Sequence, residues 1–121
     1  MSAQAQKTIL KLNQMTKDDE IIWSVWKTKI NSLEGLERLL GNAYFSEVNT
    51  KELRIYKYEA RHYYDEDAFD WVSHFRLEFI DKNGNTTWQF PEEYVLPDLY
   101  ESIQYKLSGA SEFFGDFLDE E

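Results

Sequence analysis

The densest run of side chains able to do chemistry is His62-Tyr63-Tyr64-Asp65-Glu66-Asp67-Ala68-Phe69-Asp70-Trp71. Carboxylates at Asp65, Asp67 and Asp70 are the oxygen donors that a hard cation such as Ca²⁺ favours. An EF-hand loop begun at Asp65 would need glycine at its sixth position and a distal bidentate glutamate, yet the sixth residue is Asp70. The run is therefore expected to be a solvated acidic loop joining two strands, with no metal. General acid–base catalysis by two carboxylates is the next chemistry to weigh, because glycosidases work with such a pair. The chain holds 23 acids, and no spacing singles out two of them. A nucleophile motif, a glycine-rich phosphate loop and a His-Glu-x-x-His spacing are all missing from the sequence. His62 and His74 would approach one another only if their strands pair as a hairpin. With no cysteine and two histidines, thiolate catalysis, disulfides and sulfur-built zinc sites are excluded and a transition-metal site is poorly served. No catalytic residue and no cofactor follow, and a small hydrolase using paired carboxylates stands as the alternative reading.

Aromatic side chains point elsewhere. Tyr56, Tyr58, Tyr63, Tyr64, Phe69 and Trp71 crowd one part of the chain, and Tyr and Trp are favoured at interfaces because each joins a large apolar body to a polar tip. Together with the acids, this makes Tyr56, Tyr58, Tyr63, Tyr64, Asp65, Glu66, Asp67, Asp70 and Trp71 the candidate partner-binding set. Charge gives the partner its sign. Residues 1–64 carry 10 basic and 8 acidic groups, whereas residues 65–121 carry 3 basic and 15 acidic, which places the whole net charge of -10 in the second half. Direct nucleic-acid binding is disfavoured, since it rests on clustered Lys and Arg; a mimic of nucleic-acid charge would need acids spaced like phosphates. A basic protein partner suits the surface better.

These residues have to be positioned by regular elements. Ala5, Ile9, Leu12 and Thr16 lie on one helical stripe within Ser2 to Thr16, and the spacing predicts an amphipathic helix ending at Lys17-Asp18-Asp19-Glu20. Ile21 to Ile30 is β-branched and aromatic, with Trp23 and Trp26 on opposite faces of the expected strand. Leu33, Leu36, Leu39 and Leu40 then return to helical spacing, so a short helical insertion is expected over 32–41, capped by Ser32 and closed by Gly41-Asn42. Strands follow at Ala43 to Val48 and Leu53 to Tyr64, joined by an Asn49-Thr50 turn, with Leu53 and Ile55 opposite in face to Tyr56, Tyr58 and Ala60. From Val72 to Asp81, Phe75, Leu77 and Phe79 alternate with His74, Arg76 and Glu78, and the Asn83-Gly84 pair predicts a hairpin to Thr86–Phe90 with Trp88 and Phe90 inward. A helix after Pro97 runs through Leu99, Ile103 and Leu107, and Phe113, Phe114, Phe117 and Leu118 mark a last helical segment inside an acidic end, 111–121.

The class is α+β in a single domain, 1–121: an N-terminal helix, a four- to five-stranded antiparallel meander, and a C-terminal helix packed on one sheet face. Ile21-Ile22-Trp23 after a helix, Tyr44-Phe45-Ser46-Glu47-Val48, Leu53-Arg54-Ile55-Tyr56, Leu77-Glu78-Phe79-Ile80-Asp81 with Gly84, Trp88-Gln89-Phe90-Pro91 and Asp98-Leu99-Tyr100 together resemble a loose pattern in small uncharacterised bacterial proteins. The likeness covers residues 9–107, departs at 32–41, and implies a fold without implying a function. No apolar run approaches the roughly 20 residues that cross a bilayer, and Met1 to Gln6 has no signal-like character; a soluble, cytoplasmic protein is expected. Two short helices cover one face of a sheet, so the face bearing Tyr56 and Tyr58 is expected to be covered by segment 113–118, by a basic partner or by a second copy in a homodimer. The function expected is that of a non-enzymatic protein-interaction module, of the immunity or adaptor type.

Overall fold

In the computed structural model, which describes residues 2–33 and 35–119, the chain runs α1 (Ser2–Lys17), β1 (Ser24–Trp26), β2 (Arg38–Val48), β3 (Lys51–Asp65), β4 (Ala68–Ile80), β5 (Thr86–Gln89), α2 (Leu96–Ser108) and α3 (Ala110–Leu118). All strand pairs are antiparallel, and the sheet order β1-β2-β3-β4-β5 is a simple meander. The α+β class and the meander are thus as the sequence implies.

α1 buries the stripe Ala5, Ile9, Leu12 and Thr16. It stops where Asp19 takes a left-handed φ of 62° and the Glu20 amide reaches back to the Met15 carbonyl at 2.8 Å, the backbone pattern of a Schellman motif. Thr16 Oγ1 donates to the Leu12 carbonyl and accepts from Trp23 Nε1 at 3.0 Å, which ties the segment after α1 to its last turn. α1 and α2 lie on the sheet face that carries Tyr44, Leu53, Ile55 and Leu77, and Leu96, Leu99, Tyr100 and Ile103 complete this core. β-Hairpin geometry fixes the register. Asn49 and Thr50 both adopt positive φ in the two-residue turn between β2 and β3. After β4, Asp81 Oδ1 accepts from the Asn83 and Asn85 amides while Gly84 takes φ +84°. Phe90 is buried behind that hairpin, but Trp88, expected to share its inner face, is half exposed.

Two expectations are corrected. The helical insertion at 32–41 does not form: Arg38, Leu39 and Leu40 pair with Glu59, Tyr58 and Lys57 as the start of β2, and Gly35 sits at φ +52°. The leucine spacing there is produced by a loop and a strand, with Leu33 packed inward and Leu36 exposed; Glu34, inside that range, lies outside the described residues. The strand expected over Ile21 to Ile30 contracts to Ser24–Trp26, because Ile21 and Trp23 turn into the helix-side core while Ile30 and Trp26 join a second cluster on the opposite face.

Residues 27–33 and 35–37 belong to a connector that crosses this opposite face. Ile30 and Leu33 pack with Ala43, Tyr56, Tyr58 and Ala60. Beside them lies a polar network. Arg54 and Glu78, both fully buried, meet at 2.6 Å, and the Glu78 carboxylate also accepts from Ser32 Oγ at 3.1 Å and Thr86 Oγ1 at 3.1 Å. Arg76 donates to Tyr56 Oη, to the Ser32 carbonyl and to Glu37. The sheet therefore has an apolar core under its helices and a mixed, hydrogen-bonded core under the connector.

Candidate functional site

β3 and β4 are longer than their neighbours. Pairing with β2 ends at Glu59, opposite Arg38, and β5 pairs with β4 only over Glu78–Ile80. From Ala60 to Asp65 and from Ala68 to Val72 the two strands have, among the described residues, only each other in the ladder, making an arm of about 20 Å closed by Glu66 and Asp67. Seven of the nine candidate partner-binding residues lie on it: Tyr63, Tyr64, Asp65, Glu66, Asp67 and Asp70 are exposed and Trp71 is half buried.

The other two do not. Tyr56 and Tyr58 are 0% and 8% exposed, because the connector already seals the face they share. This overturns the expectation that segment 113–118, a partner or a second copy covers that face, and removes Tyr56 and Tyr58 from any docking surface. They pack instead: Arg76 lies 4.2 Å over the Tyr58 ring and His74 stacks against it. Burial pushes the Tyr56 phenol above its ordinary value of 10.0, with Glu78 adding to the rise against the hydrogen bond shared with Ser32, and burial likewise raises Tyr58. Tyr100, buried and bonded to the Asn42 carbonyl, is pushed up to about 12. A phenol whose pKa is higher in the folded chain contributes stability that is intact below the unfolded value and lost as pH rises through the folded one. Stability is therefore expected to begin falling above pH 10 and to go on falling through the range where Tyr100 ionises. Tyrosinate absorbance and circular dichroism followed together check this; ionisation of every tyrosine in one step at the ordinary value, with the fold intact, would contradict it.

The arm has two unlike faces. On one, Arg61 and Tyr63 stand opposite Trp71 and Phe69. Arg38 lies 3.8 Å over the Trp71 ring, Arg61 4.6 Å over Phe69, and Phe69 sits edge-on to Trp71. These rings are already covered by the chain's own cations, so Trp71 stiffens the arm more than it offers a face. On the other side His62 stands opposite Asp70, and Tyr64 is 65% exposed. The arginines were not singled out in the sequence; the cross-strand register, which a sequence alone does not fix, is what brings them to the rings.

The outer edge of β4 is open. Leu77 accepts from the Phe90 amide on that side, and the Phe75 amide donates to Glu92. By alternation the main-chain groups of Ser73, Trp71 and Phe69 point outward as well, and among the described residues no strand pairs with them. Glu92, which also meets His74 Nδ1 at 3.2 Å, marks where the open edge begins.

The register also separates the histidines. His62 faces Asp70 and His74 faces Tyr58, four positions apart or about 13 Å along the ladder, so although the strands do pair as a hairpin, the approach of the two rings that such pairing could allow does not occur. Among the described residues Glu78 is the one buried acid, and its oxygens are engaged by Arg54, Ser32 and Thr86. No group of three His, Asp or Glu among the described residues is placed to hold a metal ion, and no helix among them is long and apolar enough to cross a membrane.

No family model, curated protein or solved structure matches the chain. What the protein does has to be read from the arm and the surfaces around it.

Proposed function

We propose that the protein is a non-enzymatic interaction module of the cytoplasm, of the adaptor or immunity type, and that it holds a basic protein partner with the β3–β4 arm. The observation that carries this reading is the arm itself: a ribbon that, among the described residues, has no strand neighbour beyond Glu59 and Val72, tipped by Asp65, Glu66 and Asp67 and flanked by exposed Tyr64 and Asp70. Exposed two-stranded ribbons with an open edge recruit extended segments by adding a strand, with main-chain bonds giving affinity and side chains giving choice of partner. The acids supply that choice here. A cationic segment laid along the edge from Phe69 to Ser73 would meet Asp70 beside it and the acidic tip at its end.

The test is a comparison of two proteins on one partner. A protein captured by the wild-type chain should bind the triple variant Asp65→Lys, Glu66→Lys, Asp67→Lys at least about tenfold more weakly, and wild-type affinity should fall as salt rises. Stability of the variant should stay within about 0.5 kcal/mol of wild type, since these sites are at the surface. Equal retention by the variant, or binding indifferent to salt, would remove the arm from the interface.

A further inference from the structure

α3 is amphipathic, but among the described residues no element buries its apolar side. Phe113, Phe114, Phe117 and Leu118 share one face at helical spacing, and all are at least half exposed, Phe117 at 71%. Phe113 and Phe117 stack on each other with centroids 5.5 Å apart. Large apolar groups gathered on one exposed stripe mark an interaction surface.

The same chain holds a receptor of matching size and opposite charge. Along the flank of α1 that faces away from α2 lie two hollows that meet at Thr8 and together make a trough: one is lined by Ala5, Thr8, Phe79, Trp88 and Phe90, the other by Thr8, Lys11, Met15 and Val48. Trp88 is half exposed there. From Gln4 to Met15 the trough follows about 16 Å of α1, and a nine-residue helix is about 13 Å long. Lys11 lines it, and Lys7 lies one turn earlier on the same side. α1 contains three lysines and no acid, while residues 110–121 contain five acids and no cation. Among the described residues neither Lys7 nor Lys11 has an ion-pair partner.

The chain's own α3 is on the wrong side to fill this trough. Asn13 and Lys17 line the groove between α1 and α2, and at 100° per residue they fall opposite Thr8, Lys11 and Met15. Lys106, at the end of α2, pairs with Asp19 just beyond the end of α1, and only Gly109 separates α2 from α3. α3 therefore starts on the α2 flank, with α1 between it and the trough.

We infer that α3 of one copy docks in the α1–β5 trough of a second copy, and that the exchange is reciprocal, closing a two-fold dimer. Phe113 and Phe117 enter between Thr8 and Trp88, and Glu112 and Asp116 approach Lys7 and Lys11. Reciprocity lets one patch pair serve both subunits and ends the assembly at two. The arm takes no part in this contact, so the dimer and the binding of a basic partner can fail separately.

Light scattering with sedimentation on the full chain at micromolar concentration should give the mass of a dimer, and Phe113→Glu with Phe117→Glu should give a monomer with an unchanged circular dichroism spectrum, because those side chains belong to neither buried core and their ring contacts stay within α3. Placement is tested by cross-linking. The chain has no cysteine, so an equimolar mixture of Lys11→Cys and Glu112→Cys single variants should oxidise to a disulfide-linked heterodimer, faster than either variant alone oxidises to a homodimer. A wild-type monomer, an assembly larger than two, a dimer that survives the double Phe variant, or no preference for the mixed disulfide would each overturn the inference.

Discussion

Replacing Glu78 with Ala is expected to lower stability by about 3–5 kcal/mol, the cost of leaving a buried charge without its partner. Arg54 has 0% exposure, and once the carboxylate is gone its guanidinium keeps the face of the Trp26 ring at 4.9 Å and, as hydrogen-bond acceptors, only the Gly84 carbonyl at 3.2 Å and Thr86 Oγ1 at 3.4 Å. Neither carries charge to offset the desolvation. A domain of this size is stabilised by about 5–15 kcal/mol in total, so the variant should unfold at markedly lower urea concentration. Removing both charges tells the pair apart from the packing. Arg54→Met with Glu78→Leu should cost well under the sum of the single changes, because desolvating two ions consumes much of what their attraction returns. A Glu78→Ala loss below about 1 kcal/mol would mean that water reaches Arg54 and that the connector does not seal this face.

Leu77→Ala is expected to cost about 2–5 kcal/mol. Leu77 is fully buried, stands opposite Ile55 in the β3–β4 register and belongs to the cluster formed with α1 and α2. Its removal leaves a void between two layers that cannot close without moving a helix, which is where large-to-small substitutions are most damaging. Urea unfolding of the variant measures it. A loss below about 0.5 kcal/mol would take β4 out of the core and the meander with it.

Those two neighbours in sequence show what could be read in advance. Alternation along β4 puts Leu77 and Glu78 on opposite faces, and the period of two is strong enough to assign Leu77 to a core. The hairpins were legible for the same reason, since Asn49-Thr50 and Asn83-Gly84 are local instructions. The fate of the second face was not. Whether Tyr56 and Tyr58 are covered depends on a contact between residue 32 and residues 56 and 78, and nothing local to Ser32 announces it; the leucines around it happen to match a helical period. The candidate site divides along the same line. Tyr63 to Asp70 could be found from composition and charge, but Arg38 and Arg61 enter only through cross-strand register.

The unlike chemistry of the two sheet faces has a thermal consequence. Apolar burial under α1 and α2 weakens on cooling and levels off per unit area on heating. The Arg54–Glu78 pair behaves differently, because hydration of ions becomes less favourable as temperature rises and the penalty for keeping them dry falls. Warming therefore shifts the balance of cohesion from the helix side of the sheet toward the connector side. The segment between β1 and β2, which among the described residues has no helix or strand of its own, is tied down by the interactions that lose least with heat.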